Sequence, residues 1–339
     1  MAKQSGPSFE QIMSDLRRKA YSPIYFLMGE EPYYIDQISE FIEDEILNET
    51  EKDFNLTVLY GKDVDMDTVV NAAKRYPMMA EHQVILVKEA QQIKNWDNFL
   101  YYLDKPLVST ILCFCYKYGK PDGRKKVFQE LNKKAVTFEA KKLYDNQVGI
   151  WIRDYLAKKQ VRITEKAEVM LTEFLGTDLS KIANELDKLL ITKSPHTNQI
   201  TPELIEKNIG ISKDFNVFEL QGALIRRDVL KANRIVRYFG ENKKANPIQM
   251  VLSQLFNFFS SLMLFHYLPN KNPAIVASEL KINPYFTKDY VQAANTFNAW
   301  KTMNIISYIR ETDARSKGID DTGTEPADLL KELVFKILH

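Results

Sequence analysis

Up to about Ala140 the chain carries short apolar runs that do not alternate with polar residues. They are Ile24 to Met28 (IYFLM), Thr57 to Tyr60, Val84 to Val87 (VILV), Thr110 to Cys115 (TILCFC) and a weaker fifth, Ala135 to Phe138. A strand solvated on one face alternates. A strand buried on both faces does not, and such strands belong to parallel sheets covered by helices. Helical spacings separate the runs: Ile35, Ile38, Phe41, Ile42 and Ile46 after Pro32, then Asp65 to Arg75 with Asp65 or Asp67 as cap. This portion is expected to be an α/β domain with a mostly parallel sheet.

After Lys141 no further strand is convincing. Asn146 to Lys159, Thr164 to Leu175, Leu179 to Ile191 and Thr201 to Asn208 read as helices, the last with Pro202 at its first position. From Asp214 a second helical series follows: Val217 to Leu224, Val229 to Tyr238, Pro247 to Leu268, Tyr285 to Ala294, Asn298 to Arg315, and a last helix from Glu325 or Pro326 to Leu338. A chain of 339 residues exceeds one ordinary core. The expected division is 1–141, 142–212 and 213–339.

Net charge is +1, so nucleic-acid contact has to come from local patches. The start MAKQSGPSFEQIMSDLRRKA has no apolar leader core, and no secretory signal is expected. The nearest approach to a membrane span is Gln249 to Leu268; Ser253, Gln254, Asn257, Ser260, Ser261 and His266 interrupt it, and it reads as a buried helix. Cys113 and Cys115 share a strand face and read as buried thiols, which fits a cytosolic chain. His82, His196, His266 and His339 match no metal spacing.

A strand, a glycine and a helix form the place where nucleotide-binding folds seat a phosphate, through G-x-x-x-x-G-K-[ST]. Counted from Gly29, Tyr34 takes the second glycine position, Ile35 the lysine position and Asp36 the hydroxyl position. Glu30 and Glu31 repel phosphate, and Pro32 lacks an N–H. The segment reads as an ordinary capped helix start. The run Val84 to Val87 ends in Lys88-Glu89, where an ATPase of this kind places a magnesium-side carboxylate.

Between Arg75 and Val84 lies YPMMAEHQ. Pro77 is expected to stop the preceding helix, leaving Met78 and Met79 in a connection flanked by polar Glu81, His82 and Gln83. Two large flexible apolar side chains there are either tucked into the core or offered to a partner; the residues alone favour the core. Methionine also suits an adaptable interface, with the polar neighbours as rim.

Taken together, PIYFLMGEEPYYID, YPMMAEHQVILV, PDGRKKVFQEL, GTDLSKIANELDKL, FNVFELQGALIRRDVLKA and the C-terminal helix resemble, in order and spacing, the delta subunit of the bacterial DNA polymerase III clamp loader. The resemblance spans nearly the whole chain. It implies an AAA+-like α/β domain with a degenerate phosphate loop, a small helical lid and an all-α collar that joins a ring. It implies no cofactor and no catalysis by the chain alone, although the holoenzyme it serves is a DNA-directed DNA polymerase, a nucleotidyltransferase. The implied partners are the beta sliding clamp, the gamma/tau motor subunits, delta-prime and, inside the complex, primer-template DNA; a membrane is not among them, and the location is cytoplasmic. The family's hydrophobic clamp-binding pair, often leucine and phenylalanine, falls here on Met78 and Met79, with Tyr76 and Pro77 beside it.

Lys117, Lys120, Arg124, Lys125 and Lys126 form a local basic cluster, and Lys133, Lys134, Lys141 and Lys142 another. A solvated face is the plainer reading, and DNA contact the alternative. Arg226, Arg227 and Asp228 read as helix-surface ion pairs. Competing readings of the whole chain are an active AAA+ ATPase with an atypical nucleotide site and a nucleic-acid-binding module.

Overall fold

The computed structural model describes residues 6–194, 197–244, 246–320 and 323–339, so His196 lies outside the described residues. The chain divides into two compact units, one ending at Leu143 and the other running Tyr144–His339.

The first unit is built on a 5-stranded sheet. Its strands are β1 (Ile24–Gly29), β2 (Leu56–Tyr60), β3 (Gln83–Lys88), β4 (Thr110–Lys117) and β5 (Val136–Ala140). Their order is β2-β3-β4-β1-β5, and every pairing is parallel. The unbroken apolar runs follow from burial on both faces. Ile24 and Phe26 of β1, with Leu112 and Phe114 of β4, pack against Val69, Phe99, Leu103, Val127 and Leu131. Tyr25 and Leu27, with Cys113 and Cys115, pack against Ile12, Leu16, Ile35, Ile38 and Ile42. Both cysteines are free and buried, as their shared face requires.

Local chemistry starts the helices where they start. Ser8 and Gln11 form a reciprocal capping box on Phe9–Arg17, and Asp65 accepts from the Thr68 N–H at the head of Met66–Ala73.

The second unit is helical. Its first part holds Asp145–Lys158, Glu165–Leu175, Leu179–Thr192 and Pro202–Ile209. A two-residue parallel ladder, β6 (Arg162–Ile163) with β7 (Gln199–Ile200), corrects the expectation of no strand after Lys141; segments this short carry no periodicity to read. The second part runs from Val217–Ile225 to Pro326–Leu338, and its core draws on residues from Val217 to Leu338. Arg226, Arg227 and Asp228 turn out to be a helix–helix turn: Arg227 is left-handed at φ 54, and Asp228 caps the next helix by accepting from Lys231 N–H.

The helix Ile248–Tyr267 is long and apolar enough to cross a membrane by length and composition, with mean hydropathy 1.4. It nevertheless buries Val251, Leu252, Leu255, Phe258, Phe259, Leu262 and Phe265 in the helical core. A one-sided burial pattern of this kind marks a core helix.

Candidate functional site

At the end of β1 the backbone closes on itself. Gly29 has φ 139, and a Cβ there would sit 2.0 Å from the Ala140 carbonyl oxygen. That carbonyl accepts from the Glu31 N–H at 3.2 Å, and the Gly29 carbonyl accepts from the Gly119 N–H at 3.2 Å. The Glu31 carboxylate is buried and accepts from Tyr33 N–H at 3.1 Å, capping the helix Pro32–Glu45. An anion approaching this helix start therefore meets a carboxylate already seated on it.

The remaining positions of the loop are turned to packing. Tyr34 lies against Phe9 with ring centroids 4.9 Å apart. Ile35 is fully buried among Ile38, Ile42 and Leu27, so a side chain at this position points into the core. Asp36 forms an ion pair with Lys117. At the end of β3, Lys88 pairs with Glu43 at 2.9 Å. Burial works against the Lys88 charge, but the hydrogen bond and charge of Glu43 outweigh it and raise its pKa above the usual lysine value.

The methionine pair is exposed. Met78 is 60% and Met79 101% exposed, and Tyr76 beside them 76%. This corrects the preference for the core, and the reason lies in how the segment is anchored. Helix Met66–Ala73 ends before Pro77 is reached. Its last carbonyl, of Ala73, accepts from Thr110 Oγ1 at 2.9 Å, Tyr102 OH at 3.3 Å and Gln83 Nε2 at 3.4 Å. Gln83 also donates to the Arg75 carbonyl and to Thr110 Oγ1. It is a buried anchor and no part of an exposed rim. His82 packs edge-on against Tyr21 at 5.5 Å, and its Nδ1 has no hydrogen-bond partner among the described residues.

Asn55, at the end of helix Glu49–Asn55, grips the middle of the segment. Its Oδ1 accepts from Met78 N–H at 2.7 Å, and its Nδ2 donates to the Met78 carbonyl at 2.9 Å. Sequence reasoning missed Asn55 and misread Gln83. Nothing in a local pattern signals a side chain that bonds a backbone 23 residues away.

The basic cluster is mostly paired. Lys120 meets Glu139 at 2.7 Å and Arg124 meets Asp122 at 2.9 Å. In the second group Lys133 meets Glu130 at 2.8 Å and Lys134 meets Asp104 at 2.5 Å. Lys125 and Lys126 are exposed at the start of helix Lys126–Lys134, where the helix dipole disfavours cations.

Comparison with known proteins bears on the whole chain. Residues 25–141 match the family described as DNA polymerase III, delta subunit, and residues 214–334 match the DNA polymerase III delta subunit, C-terminal domain. DNA polymerase III subunit delta of Bacillus subtilis is 25% identical over 336 residues, covering 95% of this chain and 94% of its own length. The solved structure of the Bacillus subtilis DNA clamp loader delta protein has the same fold, with TM-score 0.59 and 22% identity over 98% of this chain and 99% of that one. A gamma subunit-related protein of Thermotoga maritima is more distant, with TM-score 0.34 and 13% identity over 89% of this chain and 99% of its own. The parallel-sheet α/β domain followed by helical regions is the architecture expected from sequence.

Proposed function

The chain belongs to the DNA polymerase III delta subunit family, and on that premise we propose that it grips the sliding clamp through Met78 and Met79, favours the opened ring, and does not itself hydrolyse ATP. A clamp loader subunit works in a complex with other polymerase III components. In this reading they are the beta clamp, the gamma/tau motor subunits and delta-prime, with residues 142–212 as lid and 213–339 as collar.

The observation that carries the reading is a pair of exposed apolar side chains on a backbone held from both sides. Isolated exposed apolar residues are ordinary, but Tyr76, Met78 and Met79 fall close together in one segment and the Met78 backbone is anchored. A protein that binds the opened ring better than the closed one shifts the ring toward opening by no more than that difference in affinity.

The ATP reading rests on occupied positions. The Glu31 N–H, the helix start, the lysine position and the strand end are held by Ala140, Glu31, core packing of Ile35 and the Lys88–Glu43 pair. A secondary role in DNA contact is favoured by Lys125 and Lys126, two exposed cations at a helix N-terminus.

The test is affinity for purified sliding clamp. Burying each methionine stabilises an interface by roughly 1.5–3 kcal/mol, so Met78→Ala with Met79→Ala together should weaken binding about 100-fold or more. Unchanged affinity of the folded double variant would falsify the assignment of the grip.

A further inference from the structure

We infer that Asn55 is the positioning residue of the exposed methionine pair, fixing the Met78 backbone so that both side chains are presented in one conformation. The inference rests on the reading of Met78 and Met79 as the clamp contact.

Asn55 is 3% exposed, unusual for a polar side chain at a helix end. Both its amide hydrogens and its amide oxygen are engaged. Oδ1 accepts from Met78 N–H, while Nδ2 donates both to the Met78 carbonyl and to the Glu51 carbonyl at 3.0 Å. The side chain thus offers Met78 an acceptor and a donor, as a neighbouring strand would. Aspartate keeps the acceptor and loses the donors; leucine or alanine loses both.

Met79 adds a second observation. Its φ is 56, in the left-handed region that a non-glycine residue rarely occupies. Such a conformation persists where the surroundings over-determine it. Here the preceding residue is clamped by Asn55, and the segment's base is tied by Gln83 to the carbonyls of Ala73 and Arg75. Methionine side chains on a free loop lose conformational freedom on docking, and a pre-ordered backbone removes part of that cost. Asn55 therefore acts on clamp affinity through Met78 without touching the clamp.

The experiment measures clamp binding of the full chain for the parent, Asn55→Ala, Asn55→Asp and Met79→Ala, and for Asn55→Asp combined with Met79→Ala. Amide hydrogen exchange at Met78 is followed in parallel. Both Asn55 variants should bind about tenfold more weakly or worse, and Met78 exchange should speed up in Asn55→Ala. The penalty of Asn55→Asp should shrink in the Met79→Ala background, because part of what is being positioned has been removed. If Asn55→Ala does not fold, Asn55→Asp, which retains shape and the acceptor, carries the measurement. Parental affinity in a folded Asn55 variant, with Met79→Ala still impaired, overturns the inference and leaves the clamp reading standing. An undiminished penalty in the Met79→Ala background assigns Asn55 a general structural role and also overturns it. A Met78→Ala, Met79→Ala variant that binds like the parent instead removes the clamp reading itself.

Discussion

Gly29 shows how much a single position decides. An added methyl would lie 2.0 Å from the Ala140 carbonyl oxygen, on a backbone at φ 139 that only glycine adopts easily. The neighbour is backbone of β5, so it cannot swing aside. Gly29→Ala should lower the unfolding free energy by about 2–4 kcal/mol, read from the denaturant midpoint of the first unit. A midpoint within error of the parent contradicts this account. The departure from the phosphate-loop pattern was legible residue by residue, since Tyr34, Ile35 and Asp36 stand where glycine, lysine and a hydroxyl residue belong. The exposure of Met79 was not. Apolar character argues for burial, and the contacts overriding it come from Asn55 and Thr110, remote in sequence, and from the neighbouring Gln83, whose burial was not anticipated.

Among the elements, the strands of the sheet were readable because burial on both faces writes a continuous apolar run. Their ends moved by a residue or two, as at β4, which continues through Lys117. Short helices such as Glu49–Asn55 and Leu100–Asp104 escaped because so few turns hold too little periodicity. Contacts between helices were equally hidden, and Glu219 is one that can be tested. It pairs with Lys231 and, at 3.2 Å, with Lys166, joining helices Glu165–Leu175, Val217–Ile225 and Val229–Glu241. Burial raises its carboxyl pKa, but the two ammonium groups outweigh that, and the folded value lies below the usual 4.5. The resulting stabilisation is present above the unfolded value and is lost as pH falls through the folded one. Lys166→Ala with Lys231→Ala should cost about 1 kcal/mol near neutral pH, and the variant and parent should converge in acid. A gap in stability that stays constant from neutral to acid pH rules out this origin.

For the whole molecule, the change from sheet to helices near residue 141 was visible in the loss of non-alternating runs, and the compact units divide at Leu143. The further division at residue 213 was read from the second helical series that follows Asp214, and only the proposed roles of lid and collar come from resemblance. Titration calorimetry of the full chain with magnesium-ATP should give no stoichiometric heat, because the positions that would hold the phosphates are filled by Ala140, Glu31 and Ile35. One-to-one binding would revive the competing reading of an atypical ATPase.

The closure at Gly29 also bears on engineering. On the proposed reading, turning this chain into a nucleotide-driven motor takes more than restoring consensus letters. Ile35→Lys would place an ammonium where the isoleucine is 0% exposed, a burial that costs several kcal/mol without a partner. Freeing the Glu31 N–H would require moving the end of β5. A lysine at Ile35 and a freed Glu31 N–H therefore each call for a change in the packing around β1 and β5 as well as in the loop itself.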